Sequence, residues 1–125
     1  MKFLHGEYDS TTGKSTVTLA DRYGQYTGYA KLHPDDKKNE SRYMGCNIAE
    51  KRALIKALKN RRKRIKIKLN ATENIINELH NKVDPNNIHR DIKKILYFKT
   101  KDYNNQIERI NNLIKEIEEK IKDRI

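Results

Sequence analysis

The chain has 125 residues, of which 35% are hydrophobic and 36% charged, with a formal charge of +11. A mean hydropathy of −1.03 leaves too little apolar material for a thick globular core, so a compact α/β enzyme is not expected. No apolar run approaches the ~20 residues that a membrane span needs, the first residues lack the apolar stretch of a signal peptide, and a single cysteine, Cys46, excludes an internal disulfide.

The first third reads as β. Phe3 to Tyr8 is a short candidate strand, followed by the turn formers Asp9-Ser10-Thr11-Thr12-Gly13-Lys14. Ser15 to Ala20 alternates Val17 and Leu19 onto one face, Arg22-Tyr23-Gly24-Gln25 reads as a second turn, and Tyr26 to Leu32 is a third strand. A glycine inside a strand, Gly28, points to a bulge or to another backbone approaching closely. Together these segments predict a three-stranded antiparallel meander, ended by His33-Pro34-Asp35-Asp36 and a polar loop running to Cys46.

The remainder reads as helix. Asn47 with Glu50 has the form of a capping box, which places the helix start at residue 47. Ile48, Ile55, Leu58, Ile65, Leu69, Thr72, Ile76, Leu79 and Val83 then fit one heptad frame, with Lys51 and Arg62 as the charged residues in its a and d slots. Asp84-Pro85 marks a stop and a new start. In the second helix Tyr103, Ile107, Ile110, Ile114, Ile117 and Ile121 repeat at steps of four and three, whereas Ile88, Ile92 and Ile95 follow the same rule in another frame. The shift near residues 99–102 predicts either a stammer in one long helix or a break, and a continuous or slightly kinked helix is the preferred reading. The expected architecture is α+β: a small three-stranded antiparallel sheet, in residues 1–46, packed on a long antiparallel, coiled-coil-like helical hairpin, in residues 47–125. Ile67, Ile75, Leu113 and Ile125 lie off the seam and call for a third surface to cover them, which the sheet, a second copy of the chain or a partner would supply.

The charge is concentrated. Residues 1–50 carry seven basic and seven acidic side chains, and residues 73–125 carry eleven and ten; residues 51–72 carry ten basic side chains and no acidic one. The basic segment 51–68, densest from Lys59 through Arg61, Arg62, Lys63, Arg64 and Lys66 to Lys68, therefore holds nearly the whole excess. A field of this kind calls for strong hydration or an anionic partner. The aromatic residues Phe3, Tyr8, Tyr23, Tyr26, Tyr29 and Tyr43 cluster in the β region. Tyr26 and Tyr29 differ by an odd number of positions, so a regular strand sends them to opposite faces and at most one enters the core, unless Gly28 makes a bulge. An exposed tyrosine on a sheet beside a basic helix combines base stacking with phosphate contact, which makes Tyr26, Tyr29 and the 59–68 cations candidates for nucleic-acid or partner binding.

Catalytic readings are weaker. Thr12-Gly13-Lys14-Ser15 lacks the spacing and the following helix of a P-loop, so it reads as a turn. His5, His33, His80 and His89 show no metal-ligand spacing, and Asp35-Asp36 has no pocket signature. Cys46 beside the expected helix start at 47 would favour thiolate, but no histidine in the local sequence completes a nucleophilic pair. The chain is expected to be non-catalytic, to use no cofactor or metal, and to work in a reducing cytosol.

Residues Tyr26-Thr27-Gly28-Tyr29-Ala30-Lys31-Leu32-His33-Pro34-Asp35-Asp36, then Gly45-Cys46-Asn47-Ile48-Ala49-Glu50-Lys51-Arg52-Ala53-Leu54-Ile55-Lys56, resemble a module of small phage and prophage accessory proteins of Gram-positive bacteria. The resemblance spans about residues 3–58 and transfers no functional residue. Some proteins of this kind are anti-CRISPR inhibitors of type II Cas nucleases. It implies a counter-defence protein in a bacterial host cell that binds a Cas nuclease, its guide RNA or its DNA. A sponge that sequesters an anionic cyclic nucleotide is the alternative, with Arg61, Arg62, Arg64 and a tyrosine as ligands, and a plain DNA- or RNA-binding regulator comes third.

Overall fold

The computed structural model describes residues 1–31, 39–82 and 88–122, with side chains from residue 44 onward in the second stretch. It is α+β, with three strands followed by two helices: β1 (Lys2–Asp9), β2 (Lys14–Asp21), β3 (Gly24–Lys31), α1 (Asn39–His80) and α2 (Ile88–Lys122). The strands form an antiparallel sheet in the order β1-β2-β3, and the first half of α1 packs against it. Two compact units divide the chain, residues 1–59 with 113–125, and residues 60–112.

In the first unit both turns are held by aspartates. Asp9 accepts a hydrogen bond from Thr11 N–H (2.9 Å), and Gly13 N–H donates to Asp9 O (2.8 Å). Gly13 has φ +73°, a left-handed conformation that glycine adopts without strain. Asp21 accepts from Tyr23 N–H (2.8 Å) and from the Tyr26 hydroxyl (3.1 Å), which locks a two-residue turn at Arg22-Tyr23. That register lines Leu19, Val17 and Ser15 of β2 beside Tyr26, Gly28 and Ala30 of β3 on one face. All but Gly28, on which the close approach described next rests, are among the most buried side chains of the chain.

This face meets a ridge of small residues on α1. Gly45, Ala49, Ala53 and Ala57 recur every four residues and are all buried. A Cβ at Gly28 would sit on the Ala49 carbonyl oxygen and 2.5 Å from Ala53 N. The strand glycine is therefore a point of backbone approach rather than a bulge in β3, whose pairing with β2 is regular from Lys14–Lys31 to Asp21–Gly24. The bulge lies instead in β1, where the pairing with β2 shifts between Phe3 and His5.

The helix begins earlier than the expected capping box. Asn47 lies well inside α1, where its Oδ1 accepts a hydrogen bond from Lys51 Nζ (2.6 Å), one turn on. Cys46 is likewise past the first turn of α1, so the helix-terminus argument for a thiolate does not apply to it. The Asp84-Pro85 reading and Leu32 to Asp36 lie outside the described residues.

In the second unit the expected α1 frame holds: Ile65, Thr72 and Ile76 are buried, and Leu69 and Leu79 half-buried. The α2 frame needs correction. Ile88, Ile92 and Ile95 are 57%, 41% and 60% exposed, and His89, Lys93, Leu96, Thr100 and Tyr103 are half-buried in their place. These five continue the spacing of Ile107 and Ile110 without a shift, so α2 is one helix with one 3.5-residue repeat and no stammer at 99–102. The seam is polar toward the hairpin end, where His80 Nε2 lies 2.9 Å from the Tyr97 hydroxyl and Lys93 Nζ 3.4 Å from His80 Nδ1. Arg62, at an a position, donates to Asn111 Oδ1 (2.7 Å). In the first unit Ile114 and Ile121 keep the same repeat and are buried.

Candidate nucleic-acid interface

The cations of the basic segment do three different things. Near its start they serve the fold. Arg52 Nη1 donates to Tyr29 O (2.7 Å) and Lys56 Nζ donates to Thr27 O (2.6 Å), so two α1 side chains cap carbonyl groups on the outer edge of β3. An edge strand with two of its acceptors taken is a poorer template for pairing with another chain.

Those contacts also build an aromatic–cation cluster in the first unit. Tyr29 is 47% exposed and faces away from the Leu19–Val17 core. Lys14 Nζ lies 4.5 Å from its ring centroid and Lys56 Nζ 5.5 Å, both within cation–π range. Lys59 follows on the same face of α1 as Arg52 and Lys56, at steps of four and three. Tyr26, in contrast, is buried and its hydroxyl is held by Asp21, so the structure removes it from any binding surface. Parity along β3 required that one of the two tyrosines turn inward, and the small residues of α1 decided which.

In the second unit the remaining cations fall on two strips of α1. Arg61, Arg64 and Lys68 share one by helical spacing, and Lys63 and Lys66 share another. Arg62 points between them into the seam. Lys59, Arg61, Lys63, Lys66 and Lys68 are exposed, and among the described residues none of them meets a carboxylate at salt-bridge distance. The field of these charges is therefore directed at solvent and not spent on internal pairs.

Lys14, Arg52 and Lys56 are the members that motif reasoning left out of the site. A signal for Lys14 existed in the two-residue turn, whose register sets Tyr29 opposite Thr16 and hence diagonal to Lys14. Nothing local gave the reach of Arg52 and Lys56 around the β3 edge, since they bond 23 and 29 residues away.

The catalytic alternatives gain nothing. Gly13 belongs to a hairpin turn and Lys14 and Ser15 to β2, with no helix following. Among the described residues no group of three or more His, Cys, Asp or Glu side chains could hold a metal ion, and no helix is long and apolar enough to cross a membrane. No protein-family model, no curated protein and no solved structure matches the chain.

Proposed function

We propose that this chain is a non-catalytic binder of nucleic acid that acts in phage counter-defence by engaging a Cas nuclease–guide RNA complex. The observation that carries the binding is the set of exposed α1 cations, Lys59, Arg61, Lys63, Lys66 and Lys68, without carboxylate partners among the described residues. Phosphate is the ligand for which such an array is suited: it binds arginine in bidentate fashion and lysine as a point charge, with counterion release as the driving term. Tyr29, with its flanking lysines, adds a stacking surface of the kind that single-stranded bases use. The counter-defence setting rests on the resemblance in residues 3–58.

Anisotropy of a fluorescent single-stranded RNA across a salt series tests the binding. Five phosphate contacts give a log–log slope of about −3.5 for a single strand. Arg61→Glu with Lys68→Glu is expected to weaken binding at least about tenfold with unchanged helical circular dichroism. Unchanged affinity in that variant removes the electrostatic role. A guide-programmed type II Cas nuclease that still cleaves fully in the presence of saturating protein removes the counter-defence assignment while leaving RNA binding in place. A thermal shift with cyclic nucleotides and none with oligonucleotides moves the reading to sequestration.

A further inference from the structure

The sheet has two edges, and they are treated differently. The β3 edge is closed by Arg52 and Lys56. Among the described residues no such cap is seen on the β1 edge: seven of its eight residues are exposed, and Tyr8, which has a contact of its own, is half-buried. Phe3, 57% exposed, folds its ring over Gly6, so that a Cβ there would lie 2.9 Å from the ring tip. An open, aromatic-bearing edge is a template for one more strand.

The bulge sets which β1 residues share a face. Because the pairing skips Leu4, Phe3, Gly6 and Tyr8 lie opposite Leu19, Val17 and Ser15 and share the helix-side face. Lys2, His5, Glu7 and Asp9 lie opposite Ala20, Thr18, Thr16 and Lys14 and share the other. Read backwards with the same residue skipped, β1 complements itself. About a two-fold axis at Gly6, Lys2 meets Asp9, Phe3 meets Tyr8, His5 meets Glu7, and Gly6 meets Gly6. Every charged side chain finds the opposite sign or a histidine, the aromatic residues pair on one face, and the two glycines meet where the backbones cross the axis.

We propose that a second copy of this chain adds its β1 to this edge in that antiparallel register, joining two three-stranded sheets into one of six strands. Eight residues a side make a small interface, so monomer and dimer exchange with concentration. The proposal is independent of the nucleic-acid reading, since β1 contributes none of the cations named above.

Sedimentation equilibrium and disulfide trapping test it together. The native chain is expected to reach twice its monomer mass by about 100 μM. Lys2→Asp places like charges opposite one another twice per dimer and should raise the dissociation constant at least about tenfold, while Lys2→Arg keeps it. In a Cys46→Ala background, Gly6→Cys sits on the axis and should crosslink to its symmetry mate on mild oxidation, whereas His5→Cys, two residues out of register with its own copy, should not. A monomer at that concentration overturns the proposal. So does a dimer indifferent to Lys2→Asp whose Gly6→Cys form does not crosslink, because that dimer uses another surface.

Discussion

Gly28 shows how one missing methyl group fixes the distance between a strand and a helix. A β-carbon there would collide with the backbone of Ala49 and Ala53, which cannot move aside as a side chain tip can. Gly28→Ala is expected to cost about 1–3 kcal/mol, read as a lower urea midpoint at unchanged slope. A mid-strand glycine announces a close approach from sequence alone, but its partner lies 21 residues on, and no local pattern names it. Asp9 is the other residue with a measurable signature. The hydrogen bond from Thr11 N–H, seconded by those from Thr12, holds its carboxyl below the ordinary value of 3.8, against a smaller opposing effect of burial. The folded form thus binds its proton less readily than the unfolded form. The contribution of Asp9 is fully present above pH 3.8 and is lost as pH falls below that value through the folded-state one. Urea midpoints between pH 5 and pH 2 should therefore fall less steeply for Asp9→Asn than for the native chain.

At the scale of elements, α2 gives a sharp test of which face is the seam. Ile110 is buried and Ile95 is 60% exposed in the same helix. Ile110→Ala should cost about 2–5 kcal/mol and Ile95→Ala less than about 0.5, compared by chemical denaturation. The strands, their order and the α1 frame were all legible, because alternation and heptad spacing state which face is apolar. The α2 frame was misread in its first turns because hydrophobicity was taken as the marker of burial. Ile88, Ile92 and Ile95 are more apolar than His89, Lys93 and Thr100, yet the latter keep the repeat in phase with Ile107 and Ile110. A helix of constant pitch cannot serve both, and the longer, better-packed half sets the phase. The start of α1 was missed for a related reason: Asn47 has a capping side chain, but inside a helix the same oxygen takes a lysine one turn away.

For the molecule as a whole, the concentration of charge was plain in the sequence, and its division was not. Ten basic residues within 51–72 must encircle a helix, so Arg52 and Lys56 face the sheet edge, Arg62 the seam and five the solvent, while Lys51 bonds Asn47 and Arg64 is half-buried. Only packing decides that allocation: it ties Arg62 into the seam, sets Arg52 and Lys56 on the β3 edge with Lys56 beside Tyr29, and adds Lys14 from a strand.

The first unit is assembled from both sides of an intervening stretch of chain: residues 113–125 join residues 1–59, and residues 60–112 stand between them. The order of events on the ribosome follows. Contacts within residues 60–112 close shorter stretches of chain than those that join residues 113–125 to residues 1–59, and so cost less entropy to form. The first unit therefore stays incomplete until Ile114 and Ile121 have left the exit tunnel, so the segment made first is the last to be finished.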